Sequence, residues 1–217
     1  MKKTFFFIIV FIILLGIGYG LFTLPHFWDL KKQRPNRTAF MKARGGHIEK
    51  NWVPLSQIAP SLRLAVIAAE DQYFYGHRGV DWDEVKASFQ KNIKEFRFAR
   101  GASTISMQLT KNLYLSSNKT LFRKFQEVLY TYALEYYLSK NRILEIYLNI
   151  VEWGPGVYGA DAAAHYHFKI KANQLTVEQS AYLAALLPNP RALAKPKHRE
   201  WLEKRTHWIL NAMQKIY

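Results

Sequence analysis

Two adjacent carboxylates form the first group of residues that could do chemistry. Glu70 and Asp71 follow an apolar run, residues 64–69, and precede an aromatic segment that contains His77. A carboxyl group in an apolar setting has a raised pKa, and such acids often transfer protons in active sites. The alternative is a helix that ends in solvated acids before a loop. These residues alone leave both interpretations open.

A second acid, Glu127, lies in the segment RKFQEVLY. At helical spacing, Arg123, Lys124 and Thr131 share its face of the helix. The opposite face presents an apolar stripe, formed by Phe125, Leu129 and Tyr132. Taken alone, this pattern favours a solvated face with weak ion pairs over a functional site.

Between the two acids lies the segment RGASTISMQLTKN, residues 100–112. Its small residues would let the backbone approach a ligand, and Ser103 is predicted to cap a helix from Thr104 to Asn112. A helix N-terminus offers free N–H donors and partial positive charge, which suits phosphate. An ordinary helix cap is the competing interpretation, because Gly-Ala-Ser-Thr is not a Walker loop.

The elements that must position these residues are predicted to be helices. Apolar residues recur at helical spacing and strand-like alternation is scarce, so the fold class is mainly α. The spacing predicts a long helix from Leu121, a helix capped by Ser139, and a loop at WGPGVYG. Thr176 and Gln179 form a capping-box signature before a further helix. A final amphipathic helix is predicted over residues 199–216.

The N-terminus predicts a membrane anchor. Lys2 and Lys3 precede twenty residues without a charge, residues 5–24. About 20 apolar residues span a bilayer core of roughly 30 Å. No small-residue cleavage site follows, so an uncleaved transmembrane helix is favoured over a signal peptide. We therefore divide the chain into the stub and anchor (1–24), a basic linker (25–50) and one domain (51–217).

Composition limits the chemistry and the partners. Cysteine is absent, so there is no disulfide, no cysteine-based zinc site and no thiol nucleophile. No metal-ligand motif appears in the sequence, and we expect no dedicated metal site. The formal net charge is +15, which suits anionic lipid headgroups or a phosphorylated substrate. Nucleic acid is not expected, because no nucleic-acid-binding module is present.

Five segments in order resemble motifs of one enzyme family. They are EDQYFYGHRGVD (70–81), GASTISMQLTKN (101–112), RKFQEVLYTYALEYYLSKNRILEIYLN (123–149), GPGVYGADAAAHYHF (154–168) and LAALLPNP (183–190). Together they resemble the family 51 peptidoglycan glycosyltransferases, and specifically the monofunctional, membrane-anchored biosynthetic transglycosylases. The similarity spans residues 50 to 210. It departs from the usual second motif at Ala102, where a glycine is usual, and at Met107, where a glutamine is usual.

The resemblance implies the polymerisation of lipid II into β-1,4 glycan with release of undecaprenyl pyrophosphate. Glu70 matches the family's general base, and Glu127 matches its second glutamate, whose role as acid, metal ligand or electrostatic partner stays open. The implied substrate-binding residues are Ser103, Gln108, Lys111, Asn112, Arg123, Lys124, Lys140 and Arg142. Asp71 and His77 match supporting positions. No cofactor is required, although Mg²⁺ or Mn²⁺ could sit at the pyrophosphate.

The resemblance also implies the fold and the location. It predicts a lysozyme-like helical domain with a smaller membrane-facing lobe, to which residues 89–100 could belong. Lipid II is used on the outer face of the inner (cytoplasmic) membrane, so the domain is expected in the periplasm and the N-terminus inside. Positive charges flank both ends of the predicted anchor and do not decide its orientation. The expected partners are lipid II, the growing glycan strand and membrane lipids, together with proteins of cell-wall synthesis or division.

Two other functions fit parts of the sequence. A hydrolase or lytic transglycosylase also uses glutamates in a lysozyme-like fold, but it needs no pyrophosphate site. A membrane-anchored helical scaffold would use its glutamates only structurally.

Overall fold

The computed structural model describes residues 25–45, 49–95, 102–115 and 120–216, together with residues 6, 7, 10 and 11. This part of the chain is mainly helical, as predicted. Its α-helices are α1 (Ala39–Arg44), α2 (Pro60–Glu70), α3 (Trp82–Lys94), α4 (Ile105–Tyr114), α5 (Leu121–Tyr137), α6 (Lys140–Ile150), α7 (Ala160–Phe168), α8 (Val177–Leu186), α9 (Pro190–Leu193) and α10 (Arg199–Met213). Short 3₁₀ helices span Phe27–Lys31, Leu55–Gln57, Ala172–Gln174 and Pro196–His198.

The core forms where two groups of helices pack. Helices α2, α8 and α10 contact one another, and α4 packs against α5 and α6. Helices α2 and α8 meet closely because alanines line their buried faces, including Ala65 on α2 and Ala181 on α8. This packing holds the C-terminal end of α2, where Glu70 lies, next to α4 and α10.

A small sheet lies where the sequence predicted a loop. Strands β1 (Glu49–Lys50), β2 (Glu152–Gly154) and β3 (Val157–Tyr158) pair in the order β1-β3-β2, with β1 parallel and β2 antiparallel to β3. The loop prediction for WGPGVYG was therefore wrong over these strands. Gly159 ends β3 with φ of +92°, and a Cβ there would lie 2.9 Å from the Asn149 carbonyl oxygen. Glycine is needed at this position because both the φ and the close approach exclude a side chain.

Helix caps agree with the sequence at two positions and differ at one. The Ser139 side chain accepts a hydrogen bond from the Arg142 N–H, and Thr176 and Gln179 form the predicted capping box. The predicted cap at Ser103 was wrong, because Thr104 is the N-cap of α4 and accepts from the Met107 N–H. Ser103 is thereby left to face the cleft described below.

Helix α5 is oriented opposite to its predicted amphipathic pattern. Glu127 is 2% exposed and Thr131 is fully buried. The apolar stripe is instead exposed, with Phe125 at 56% and Tyr132 at 41%. The prediction of a solvated polar face was wrong, because that face packs against α4, where Thr110 and Thr131 share a hydrogen bond of 3.0 Å. A buried polar face and an exposed aromatic face both call for a functional explanation.

Part of the predicted linker packs onto the domain. Phe27 and Met41 are each 1% exposed and belong to the hydrophobic core. Arg142 fixes this segment by donating to the carbonyl oxygens of Leu30 and Gln33, at 2.8 and 2.7 Å. Residues 27–44 thus contribute to the domain, although no apolar periodicity in this segment predicts it.

The predicted anchor lies almost wholly outside the described residues, as do residues 96–100 of the basic aromatic segment. Within the described ranges, no helix combines the length and apolar character needed to cross a bilayer. The transmembrane helix therefore stays a prediction.

Candidate active site

Glu70 is the last residue of α2, and side chains from two other helices contact its carboxylate. Gln108 on α4 donates from Nε2 to Oε2 at 2.8 Å, and Arg205 on α10 approaches Oε1 at 3.4 Å. The Tyr147 hydroxyl on α6 donates to Gln108 Oε1 at 2.9 Å. These two hydrogen bonds fix the orientation of the Gln108 amide, because the amide oxygen accepts from Tyr147 and the amide NH₂ donates to Glu70. The acid is therefore held in one orientation.

Burial raises the pKa of Glu70, because removal from water disfavours the charged form. The hydrogen bond from Gln108 and the charge of Arg205 lower this pKa, and the neighbouring Asp71 carboxylate raises it. Burial also raises the pKa of Tyr147 well above its ordinary value, so this phenol stays protonated and remains a donor. Glu70 thus combines a raised pKa with a fixed position, as a general base requires.

Asp71 and His77 support the loop after α2, as the sequence suggested. The His77 Nδ1 accepts from the Gly79 N–H at 3.1 Å, so Nε2 bears the proton and donates to Asp71 at 2.9 Å. Asp71 also accepts from the Ile105 N–H at 2.9 Å. These contacts tie the loop to the start of α4, and they use the polar groups of both side chains.

Glu127 lies buried between two cations. Arg123 Nη1 donates to one oxygen of its carboxylate at 2.6 Å, and Lys124 Nζ donates to the other at 2.7 Å. Lys124 also approaches the Ser103 hydroxyl at 3.5 Å. One carboxylate with two cations leaves a net charge of +1 in a partly desolvated place. Charge there acts more strongly than at the surface.

A cleft brings together most of the predicted site residues. It has a volume of about 410 Å³, and six of the predicted residues line it: Glu70, Ser103, Gln108, Lys111, Asn112 and Glu127. Arg123 and Lys124 join this group through Glu127. Residues separated by more than fifty positions in the sequence therefore face one cavity.

Lys140 and Arg142 do not line this cleft. Lys140 donates to Glu135 at 2.6 Å and lies over the Phe74 ring, 4.6 Å from its centroid. Arg142 pairs with Glu145 and holds the segment after the predicted anchor, as described above. Their observed contacts are structural, so the structure gives no support to substrate binding by either residue.

The structure adds cleft residues that the sequence did not single out. Arg191 lines the cleft and donates to the buried Glu152 at 2.8 Å. Arg191 follows the proline stop of α8, and Glu152 precedes the Gly-Pro-Gly turn. Arg205 was missed as well, and nothing in the spacing of the final helix links it to Glu70.

The geometry of the site by itself defines a class of protein. A buried, oriented carboxylate with a raised pKa stands in the same cleft as a cluster with excess positive charge. The first can take a proton, and the second can stabilise an anion that develops as a bond breaks. These two features fit a mainly helical group-transfer enzyme that acts on an anionic substrate.

Comparison with known proteins identifies the family. A family model described as Transglycosylase matches residues 37–214. The chain is 40% identical to the biosynthetic peptidoglycan transglycosylase of Chromobacterium violaceum, over 98% of this chain and 97% of that protein. It is 43% identical to the protein of the same name from Nitrosospira multiformis, over 98% and 96%. The chain belongs to the transglycosylase family, as its five motifs indicated.

Proposed function

We propose that this protein is a peptidoglycan glycosyltransferase that polymerises lipid II into β-1,4 glycan strands and releases undecaprenyl pyrophosphate. The proposal rests on one observation, namely that Glu70 and Glu127 line the same cleft and that two cations pair with Glu127 there. Family membership and relatives named biosynthetic peptidoglycan transglycosylase support the same activity for cell-wall synthesis.

In the proposed reaction Glu70 is the general base. It takes the proton from the acceptor 4-hydroxyl while that oxygen attacks the anomeric carbon of the donor sugar. The bond between this carbon and the pyrophosphate oxygen breaks, and its electron pair leaves with the lipid pyrophosphate. Inversion at the carbon follows. Gln108 and Arg205 orient the base by their contacts with its two oxygens.

The leaving pyrophosphate gains negative charge as its bond breaks. Lys111 and Arg191 line the cleft, and Arg123 and Lys124 adjoin it at Glu127. We assign stabilisation of the leaving group to these cations. Glu127 then acts electrostatically, because it holds Arg123 and Lys124 in place through both carboxylate oxygens.

A divalent cation would find few protein ligands here. Among the described residues, no three His, Asp or Glu side chains are grouped to hold a metal ion. Both oxygens of Glu127 already accept from cations. A Mg²⁺ or Mn²⁺ ion would therefore be held chiefly by the pyrophosphate oxygens, and we propose that the protein itself needs no resident cofactor.

We further propose that the protein is anchored in the inner membrane with its domain on the periplasmic side. The uncharged segment 5–24 supports the anchor. A second support is an exposed aromatic surface on α3 and α5, which we call the aromatic face. Its members are Trp82, Phe89, Ile93, Phe122, Phe125, Leu129, Tyr132 and Tyr136. An apolar surface of this kind fits the membrane interface from which a lipid-linked substrate is taken.

The proposed activity is tested by incubating the purified full-length protein with lipid II. We expect polymeric glycan from the wild type and none from Glu70→Gln, which should remain folded by circular dichroism. Glu203→Gln is the matched control, because Glu203 is 63% exposed and pairs with Arg199 at the surface of α10. Normal polymer from Glu70→Gln would contradict the assignment of the base.

The same assay separates the two alternative functions. A hydrolase would degrade finished glycan and would tolerate charge reversal at Lys111, whereas a scaffold would do neither reaction. We expect Lys111→Glu to lose polymerisation by at least about a hundredfold, because several kcal/mol of electrostatic stabilisation are removed. Lys204→Glu, at an exposed position on α10, controls for the change in net charge.

A further inference from the structure

Helix α10 presents two tryptophans on either side of the arginine that contacts Glu70. Trp201, Arg205 and Trp208 are spaced i, i+4 and i+7, which places them on one face of the helix. The Arg205 guanidinium carbon lies 5.6 Å from the centroid of the Trp201 ring and 5.9 Å from that of Trp208. Both rings remain about half exposed, at 44% and 50%. The proposed reaction gives neither ring a role.

At Trp208 this stripe borders two spaces, one beside Glu70 and one further from it. Trp208 lines a small cavity that also contains Glu70, and it lines the neighbouring groove of about 830 Å³. Gln72 and Tyr73 line both spaces as well. The two spaces therefore adjoin each other at these three side chains. A chain-like ligand could pass from the reacting centre into the groove.

The groove has the chemistry of a sugar site. Tyr73 and Trp208 offer exposed aromatic faces, and the amides of Gln72 and Asn211 can both donate and accept hydrogen bonds. A pyranose ring has C–H groups on its faces, which suit the electron-rich face of an aromatic ring, and hydroxyls at its edge. A pyrophosphate would need several cations, but among the described residues Lys215 is the only charged side chain that lines this groove. The groove therefore suits a neutral sugar better than a pyrophosphate.

We propose that Tyr73, Trp208 and Asn211 line a glycan track, which Trp201 extends along the same face of α10, and that this track holds sugar residues of the β-1,4 strand beside the bond being formed. The proposal deepens the proposed function and rests on it. Arg205 connects the track with the proposed general base, because its side chain lies between the two indole rings and also contacts Glu70. A strand held there would stay bound between successive additions, so the track favours long products.

Binding is tested on the full-length protein in detergent micelles, with the β-1,4-linked tetramer of N-acetylglucosamine as the probe. Indole N–H signals are followed by NMR and assigned with single Trp→Phe variants. We expect the signals of Trp201 and Trp208 to shift, whereas that of the fully buried Trp153 does not. The double variant Trp201→Ala/Trp208→Ala should bind the probe about tenfold more weakly, as two lost aromatic contacts imply. Its polymer should also be shorter on average than that of the wild type.

Tyr166→Ala is the matched control, because Tyr166 is an aromatic residue exposed to a similar degree, at 44%, and lines none of these spaces. Unchanged affinity in the tryptophan double variant would overturn the track. Indole shifts caused by phospholipid vesicles and not by the tetramer would also overturn it and would assign the stripe to membrane contact. The probe needs neither lipid pyrophosphate nor turnover. A wild type that polymerises lipid II without binding the tetramer would therefore contradict the track alone, and one that binds it without polymerising would contradict the proposed function alone.

Discussion

At the scale of single residues, Glu70 is under two opposing influences. Burial raises its pKa, while Arg205 and Gln108 lower it. A base must be ionised, so activity falls as the pH drops through this pKa, by up to about tenfold per pH unit. The position of that acidic limb of the pH profile therefore reports the balance between burial and the two neighbours.

We expect Arg205→Ala to move the acidic limb to higher pH, because the variant loses a charge that favours the ionised form of Glu70. The measurement is kcat/KM for lipid II polymerisation as a function of pH. Arg205→Lys should shift the limb less, since it keeps the charge but loses the guanidinium geometry. An unmoved limb in a folded Arg205→Ala protein would show that this arginine does not tune the base.

A second prediction concerns stability. The folded-state pKa of Glu70 lies above its ordinary value, so the protonated acid favours folding at low pH and this contribution is lost as the pH rises through the folded pKa. We expect Glu70→Gln to unfold at a higher temperature than the wild type above that pKa, because the variant carries no buried charge at this position. The difference should shrink as the pH is lowered, which thermal unfolding at several pH values would measure. A constant difference, or one equal to that of Glu203→Gln, would refute the argument.

At the scale of elements, the contact between the loop after α2 and helix α5 is unusually close. Gly79 has a φ of +94°, and a Cβ there would lie 2.8 Å from Thr131 Cγ2. We expect Gly79→Ala to reduce the free energy of unfolding by about 2–4 kcal/mol, through backbone strain and overpacking. Gly76→Ala is the control, because its Cβ would meet only the Tyr73 carbonyl oxygen at 3.4 Å.

Adding Thr131→Ser to Gly79→Ala separates the two causes. Serine has no Cγ2, so the double variant should recover the part due to overpacking and keep the part due to φ. Chemical denaturation measures both differences. If Gly79→Ala is as stable as Gly76→Ala, the close contact does not limit this loop.

The elements also show what the sequence can and cannot predict. Helical periodicity located most helices, because local spacing and caps such as Ser139 and Thr176 determine them. Helical periodicity predicted the wrong buried face for α5, because it assigns the apolar side of a helix to the core. Here Glu127 and Thr131 are buried because the site needs them there, and the aromatic face is exposed. The five motifs located Glu70 and Glu127, whereas Arg205 reaches Glu70 only through tertiary packing across 135 positions.

The aromatic face makes a further element-scale prediction. We expect Trp82 in the reconstituted full-length protein to be quenched by lipids with brominated acyl chains, since Trp82 is 60% exposed and its indole N–H donates to Tyr132. The quenched fraction of the fluorescence should fall in Trp82→Phe. Equal quenching in both proteins would place this face away from the bilayer.

At the scale of the whole molecule, the domain begins almost directly after the predicted anchor. Only residues 25 and 26 separate Leu24 from the buried Phe27, a span of roughly 10 Å at full extension. Arg142 further ties Leu30 and Gln33 to α6. This connection is short, and Arg142 holds it against the domain. The anchor should therefore fix the orientation of the cleft relative to the bilayer, which a flexible linker would not do.

This arrangement predicts that a flexible insertion at the junction impairs the enzyme. Ten Gly/Ser residues placed between Leu24 and Pro25 would let the domain tumble above the membrane, because such sequences behave as random coils. We expect a severalfold slower polymerisation of lipid II in proteoliposomes, with the free energy of unfolding of the domain unchanged. The same ten residues appended after Tyr217 serve as the control. Equal rates for both insertions would mean that the anchor only tethers the domain, and that the packed segment after it serves stability and not orientation.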